Sequence, residues 1–136
     1  MSRPNAPVRF AGYAALFDRP DSICDTIVRG AFTNTLKRRE RQLPLYWQHN
    51  PDQQIGLVEQ AREDARGLAV IGHIDNPYSR VAHDLIKRRV HGLSFGYRAR
   101  RYKRTDEGRN LLEIELIEVS LVTEPLHPQA RVHLVA

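Results

Sequence analysis

Short apolar segments run along the chain, and their lengths and spacing predict strands. Val8 to Phe17 combine apolar, aromatic and small residues, and a polar, proline-containing run after them predicts a loop. Leu43 to Trp47 predicts a short buried strand that delivers His49 at its end. Ile55 to Arg62 and Leu68 to Ile74 flank a polar loop with a glycine, which indicates a β-hairpin.

Two segments have helical spacing. Ala31 to Arg39 contains apolar side chains four apart and basic residues in its last turn, where positive charge suits the helix dipole. Asn76 followed by Pro77 is typical of a helix N-cap, which predicts a second helix from Pro77 to Val90. We expect this helix to end before Gly92, a glycine typical of helix C-termini.

The second half of the chain has a period of two. From Leu93 to Ala99 apolar or aromatic residues alternate with small or basic ones, which predicts a strand with Ser94 pointing away from the aromatic side. Gly96 shares the face of Ser94. Such a glycine either leaves room for a substrate backbone beside the serine or marks a β-bulge.

A turn at residues 105–108 precedes a further strand, and residues 130–135 predict a last short one. Leu112, Ile114 and Leu116 predict an inward face, and Glu118 continues on it unless the strand kinks. A buried carboxylate without a partner is costly, so we expect Glu118 to have one.

These elements predict a single domain from residue 8 to residue 136, after a loose tail at residues 1–7. We expect six or seven strands and two helices, and the strands do not alternate with helices. The sequence therefore predicts a mostly β fold, an antiparallel β-barrel with about two helices packed outside.

Composition adds a basic character. The 136 residues are 41% hydrophobic, and 21 Lys and Arg against 16 Asp and Glu give a net charge of +5, which favours acidic partners or nucleic acid. With Cys24 as the single cysteine, no intrachain disulfide can form. The basic residues form three clusters, for which solvated surface is the simplest explanation: Lys37 to Arg41, Lys87 to Arg89 and Arg98 to Arg104.

No segment approaches the roughly 20 apolar residues of a membrane-spanning helix, and the N-terminus lacks the apolar stretch of a signal peptide. We therefore expect no membrane partner. Five further histidines lack the paired spacing of a zinc site, so we predict surface or strand-end positions for them and no metal. They are His73, His83, His91, His127 and His133.

Ser94, flanked by Gly92 and Gly96, is the main candidate for chemistry. A serine nucleophile needs an imidazole to take its proton and a third group to orient that imidazole, and His49 and Glu118 are the candidates. An α/β-hydrolase would use the order Ser94, Glu118, His127, but its nucleophile elbow requires a strand before the serine and a helix after it. Here a helix precedes Ser94 and a strand follows. The flanking glycines also have a structural explanation, as a helix stop and a tight start of a strand.

Several motifs in order strengthen the catalytic hypothesis. They are Phe10-Ala11-Gly12-Tyr13-Ala14, Gly30-Ala31-Phe32, Leu45-Tyr46-Trp47-Gln48-His49-Asn50, Gly92-Leu93-Ser94-Phe95-Gly96-Tyr97 and Glu118-Val119-Ser120-Leu121-Val122-Thr123-Glu124-Pro125. Through them the chain resembles the tailed-phage prohead (head maturation) proteases, distant relatives of the herpesvirus protease assemblin. The resemblance covers Phe10 to about Arg131 and implies a serine endopeptidase with a Greek-key β-barrel core.

By position, the resemblance implies that His49 is the base, Ser94 the nucleophile and Glu118 the orienting third member, with Ser120 as the alternative. It implies no metal or cofactor. It also implies action on scaffold segments of the major capsid protein, and on the enzyme itself, inside the procapsid in the host cytoplasm. Self-association as a dimer or a higher oligomer is expected from the assemblin relatives.

Two alternatives keep the fold without the catalysis. A non-catalytic basic β-barrel would bind nucleic acid along the strand from Arg98 to Arg104, with Tyr97 and Tyr102 interleaved. A capsid-assembly factor with an inactive protease fold would keep the capsid partners. Cys24 is a further conceivable nucleophile, but no motif surrounds it.

Overall fold

A computed structural model describes residues 5–38 and 42–136 of the chain. Within these ranges the strands are β1 (Val8–Leu16), β2 (Asp25–Ile27), β3 (Leu43–Trp47), β4 (Asn50–Glu63), β5 (Gly67–Ile74), β6 (Gly92–Thr105), β7 (Gly108–Val122) and β8 (Val132–Val135). The helices are α1 (Thr33–Arg38) and α2 (Arg80–Ile86). Positions 1–4 of the expected tail and positions 39–41 of the first basic cluster, with the predicted helix end at Arg39, lie outside the described residues.

The strands form one sheet in the order β2-β7-β3-β4-β5-β1-β8, and β6 pairs with the other edge of β7. The sheet curls until its two ends meet: Gly92 in β6 bridges Arg131 just before β8, and the Leu93 N–H donates to the Ala130 carbonyl at 3.0 Å. The predicted mostly β, barrel-like fold is confirmed. The sheet is mostly antiparallel, as expected, and two of its pairings are parallel, those of β2 and β3 with β7.

The core lies inside this curled sheet and is built from alternate side chains of its strands. Phe32, one residue before α1, is fully buried and packs edge-on against Phe95 of β6, with 5.5 Å between ring centroids. Burying a side chain of this size stabilises the fold by about 2 to 3 kcal/mol. The aromatic face predicted for β6 is therefore the core face, and α1 is anchored to it.

The predicted bounds are close for β1, β3 and β5, but α2 is shorter than the predicted helix. It starts after Ser79, whose hydroxyl accepts from the Ala82 N–H at 3.1 Å, so the predicted N-cap at Asn76 is wrong. The Asn76 side chain instead accepts from the Tyr78 N–H in a preceding turn. The C-cap is Lys87, and Gly92 begins β6 rather than ending the helix.

Strand β2 was not predicted, because three residues without an apolar run carry no periodicity. It pairs with the start of β7, where Asp25 lies opposite Arg109. Neither helix in the described part of the chain has the length and apolar character needed to cross a membrane.

Candidate functional site

The site is built on the pairing of β6 with β7. Ser94 lies opposite Ser120, and Gly96 lies opposite Glu118. Because directly opposite residues of an antiparallel pair project from the same face, these four residues share one face of the sheet. Phe95, between Ser94 and Gly96, is in the core. The prediction that Ser94 points away from the aromatic side is therefore confirmed.

A β-bulge at Ile117 sets the direction of Glu118. Gly96 pairs with Glu118 and Tyr97 pairs with Leu116, so Ile117 is an extra residue in β7. Leu116 remains among the core residues, while Glu118 projects from the opposite face. Glu118 leaves the inward face of Leu116, which is the exception expected for a kinked strand, because the extra residue breaks the period of two.

Gly96 makes room for Glu118. A Cβ atom at Gly96 would collide with the Glu118 carboxylate, so a side chain at this position would displace it. The suggestion that Gly96 leaves space for a substrate backbone is therefore corrected, since Glu118 already fills that space. The alternative expectation, a β-bulge at Gly96, is close to the observed structure, in which the bulge lies in the paired strand β7 at Ile117.

Glu118 is 5% exposed, and both of its carboxylate oxygens have partners. Oε1 lies 2.5 Å from Nδ1 of His49, and Oε2 accepts a hydrogen bond from the Ser120 hydroxyl at 2.7 Å. An ionised carboxylate can only accept, so Nδ1 carries the proton, and in the neutral ring Nε2 keeps its lone pair. The expectation that Glu118 has a partner is confirmed.

His49 lies in a tight turn between β3 and β4, as predicted from the end of the apolar run. Gln48 and His49 both adopt left-handed backbone angles, with φ of 53° and 60°, which cost about 1 kcal/mol or more each outside glycine. The turn is tied to the end of β7, where Gln48 exchanges two side-chain hydrogen bonds with Thr123 at 3.0 and 3.1 Å. The Ser120 hydroxyl accepts from the His49 N–H at 3.1 Å. These contacts fix the backbone that carries the imidazole.

Ser94 is 4% exposed, and its hydroxyl has no hydrogen-bond partner in residues 5–38 and 42–136. The structure therefore brings His49 and Glu118 together, and it places Ser94 one strand away, opposite Ser120, without a direct hydrogen bond to His49. A buried hydroxyl without a protein partner costs about 1 to 3 kcal/mol, and such groups are few in native proteins.

The remaining candidates lie elsewhere. His127 is buried, and its Nε2 is 2.8 Å from the Arg19 carbonyl oxygen, so the surface position predicted for it is wrong and it does not join Ser94. His73 lies between Glu59 and Asp75, at 3.0 Å from each. Cys24 is exposed in a turn. Among the residues described, no group of three or more His, Cys, Asp or Glu side chains has a metal-binding arrangement.

Signals in the sequence could have found some of the missed features. The two contacts of Ser120 follow from its position two residues after Glu118 on the same strand face, a spacing that the sequence shows. The bulge at Ile117 has no such signal. Nothing in the side-chain types of this segment distinguishes a regular strand from a bulged one.

The chain matches known protein sequences along most of its length. Residues 2–136 match the family model for the caudovirus prohead serine protease. The prohead protease of Enterobacteria phage HK97 is 32% identical over 129 residues, which cover 89% of this chain and 57% of that protein. The chain thus spans little more than half the length of this relative.

Two solved structures of herpesvirus proteases share the fold. The protease of KSHV in complex with a hexapeptide phosphonate inhibitor has a TM-score of 0.68 and 14% identity, covering 96% of this chain and 65% of that chain. The protease of varicella-zoster virus has a TM-score of 0.63 and 18% identity, covering 93% and 63%. At these identities the likeness shows the fold alone, and it confirms the predicted assemblin-like architecture.

Proposed function

Because the chain belongs to the caudovirus prohead serine protease family, we propose that it is a serine endopeptidase of capsid maturation with Ser94 as its nucleophile. The observation that carries the assignment is the 2.5 Å contact of His49 with buried Glu118, on the sheet face that also presents Ser94. The proposed substrates are scaffold segments of the major capsid protein and the enzyme itself. The proposed place of action is the procapsid in the host cytoplasm, where the enzyme self-associates.

The proposed reaction follows from the protonation of the pair. Nε2 of His49 takes the proton of the Ser94 hydroxyl, and the oxygen attacks the scissile carbonyl carbon. His49 then gives the proton to the leaving amine, and water hydrolyses the acyl-enzyme by the same exchange. Glu118 accepts the Nδ1–H throughout, which keeps the useful tautomer and stabilises the imidazolium when it forms.

In this proposal, His49 hydrogen-bonds to Ser94 only when the substrate is bound. The His49 side chain is 42% exposed and held on one side by Glu118, so the ring has free space towards solvent. Catalytic hydrogen bonds are often long or absent without substrate and shorten in the complex. A peptide bound beside Ser94 would exclude water from both groups.

Ser120 supports the pair and is the weaker candidate for the third catalytic role. Its hydroxyl donates to Glu118, and its contact with His49 is to the backbone N–H and not to the imidazole. A group that orients the base must accept the proton of Nδ1, and Glu118 is in that position.

The nucleic-acid alternative has less support. Arg100 and Arg101 of the basic strand are ion-paired with Glu115 and Glu113, so these two cations are already compensated. A phosphate-binding strand would need such side chains to be free for the ligand.

The test is co-expression with the cognate capsid protein, followed by mass spectrometry of the products. Ser94→Ala is expected to lower the cleavage rate by about 10⁶, because loss of the nucleophile removes the whole covalent pathway. A peptide phosphonate should form an adduct at Ser94 in the unmodified chain and none in Ser94→Ala. Ser22→Ala, at an exposed loop serine, is the control and should cleave normally. Cleavage by Ser94→Ala, or an adduct on another serine, would refute the assignment.

A further inference from the structure

Eight of the 15 arginines in the described residues have a carboxylate partner, and four of the other seven lie on one surface, while Arg19, Arg98 and Arg104 lie elsewhere. The paired arginines are Arg9, Arg29, Arg38, Arg80, Arg89, Arg100, Arg101 and Arg109. Arg62, Arg66, Arg88 and Arg131 are exposed and have no ion pair in the described part of the chain. Unpaired cations gathered on one surface indicate an anionic ligand.

These four arginines line two depressions that share His133. The first, of about 490 Å³, lies on the outer face of β1, β4 and β5 and includes Arg62 and Arg66. The second, of about 310 Å³, includes Arg88 and Arg131 together with His91. We call the combined surface the basic groove and define it by Arg62, Arg66, Arg88, His91, Arg131 and His133.

Positive charge exceeds negative charge in the basic groove, where four arginines lie with one carboxylate, Asp64. Burial, and then the nearby charges of Arg131, Arg66 and Arg88, lower the pKa of His133, so these cations act on one point of the surface. The Asp64 carboxylate offsets part of this charge, and it accepts hydrogen bonds from the Tyr13 hydroxyl at 2.5 Å and from the N–H groups of Arg66 and Gly67.

The groove begins close to Ser94. Arg131 bridges Gly92, and bridged partners project from the same face of a sheet, the face that Ser94 shares two residues further along β6. The Val122 carbonyl oxygen and the ring of Pro125 lie where a side chain of Gly92 would be, so no side chain at Gly92 separates Arg131 from Ser94. A polypeptide that leaves Ser94 along this direction meets the basic groove next.

We propose that the basic groove binds an acidic segment of the polypeptide substrate, at a distance along the chain from the bond that Ser94 cleaves. The proposal rests on the proposed protease function. Ion pairs at such a surface speed encounter and orient a long substrate more than they tighten a short one.

A polypeptide fits the groove better than nucleic acid does. Single-stranded nucleic acid binds through aromatic rings on which bases stack. Tyr13, the aromatic residue of the first depression, is covered by the Arg66 guanidinium, 5.0 Å from the ring centroid, and His133 packs against it edge-on. Apolar residues such as Ala11 and Ile71 also line this depression and suit side chains of a peptide.

Binding is tested in the Ser94→Ala background, so that the result does not depend on catalysis. The probe is a fluorescein-labelled oligoglutamate peptide, measured by fluorescence anisotropy at several salt concentrations. Replacing Arg66 and Arg131 by Gln should raise its Kd about five- to tenfold, because two surface ion pairs are lost. Lys103→Gln with Arg104→Gln at the tip of the β6–β7 hairpin removes the same charge and should change the Kd less than about twofold.

The outcomes separate the groove from general attraction. If the Lys103 and Arg104 changes raise the Kd of the peptide as much as the Arg66 and Arg131 changes do, the proposal is overturned. It is also overturned if oligothymidine binds more tightly than the peptide and its binding depends on Arg66 and Arg131. In the active chain, the Arg66 and Arg131 changes should lower kcat/KM for the capsid protein and leave cleavage of a short neutral peptide unchanged. Thermal unfolding checks that each variant folds, and Arg62→Gln alone provides a milder variant of the same surface.

Discussion

Two buried carboxylates lie at the β6–β7 hairpin, and their hydrogen-bond partners are of different kinds. Asp25, 3% exposed, receives two hydrogen bonds from Arg109 at 2.9 and 2.8 Å and one from the Tyr97 hydroxyl at 3.0 Å. Glu118, 5% exposed, has His49 and Ser120 as its partners. One carboxylate is held by a permanent cation, and the other by an imidazole and a hydroxyl.

Under the proposed mechanism, the difference separates a structural charge at Asp25 from a catalytic one at Glu118. Arg109 cannot lose its proton, so the charge of Asp25 is compensated at all times, and the hydrogen bonds from Arg109 hold the pKa of Asp25 below its usual value. Glu118 has no arginine or lysine ion pair in the described residues. Its charge is therefore fully compensated only when His49 is protonated, which is the state that serine catalysis passes through.

Among changes at the two carboxylates, the largest expected effect comes from Glu118→Gln. An amide in this place can donate to Nδ1 and so favours the wrong tautomer of His49, which should lower kcat by about 10³ to 10⁴. The measurement is the rate of capsid-protein cleavage at saturating substrate, with circular dichroism to confirm the fold. Full activity of Glu118→Gln would show that another group orients the base.

Asp25→Asn should affect stability and not chemistry. It leaves Arg109 without its anionic partner, and breaking a buried ion pair on one side costs about 3 kcal/mol in the free energy of unfolding. Urea unfolding measures this loss. The rate per folded molecule should be unchanged, and a rate loss comparable to that of Glu118→Gln would remove the contrast between the two carboxylates.

The same variant gives a pH dependence of known sign. Arg109, followed by Tyr97, lowers the pKa of Asp25 in the folded chain. The contribution of the Asp25 carboxylate to stability is therefore fully present above its unfolded pKa of 3.8, and it is lost as the pH falls through the lower folded pKa. The stability difference between the unmodified chain and Asp25→Asn should therefore shrink below about pH 4. A difference that stays constant down to acid unfolding would contradict the assignment.

The two ends of the hairpin also differ in how far sequence alone could predict them. The period of two from Leu93 to Ala99 gave the face of Ser94 correctly, since strand geometry follows directly from alternation. The partner of Asp25 was out of reach, because β2 has three residues and its neighbour Arg109 is 84 positions away. Long-range parallel pairing leaves no local pattern.

At the site, residue identity was more predictable than direction. His49, Ser94 and Glu118 are candidates from motifs, but alternation alone puts Glu118 on the core face unless the strand kinks, and the bulge at Ile117 is that kink. A single inserted residue reverses every later side chain of a strand, and no propensity marks where it falls. The role of Gly96, room for the Glu118 carboxylate, depends on that same bulge.

The smallest expected effects come from the two hydroxyls that donate to these carboxylates. Burial, and then the bond to Asp25, raise the pKa of Tyr97 to about 12, so its hydroxyl stays protonated as a donor. Tyr97→Phe removes one hydrogen bond and should cost about 1 kcal/mol of stability with no change in rate.

Ser120→Ala removes a similar bond, but it loosens Glu118 and the His49 backbone, so kcat should fall about tenfold. Because Ser120 acts by positioning, its loss should also shift the pH profile of kcat, which Tyr97→Phe should leave in place. If both variants lower the rate equally, the hairpin acts as one unit and the division between a structural and a chemical end is wrong.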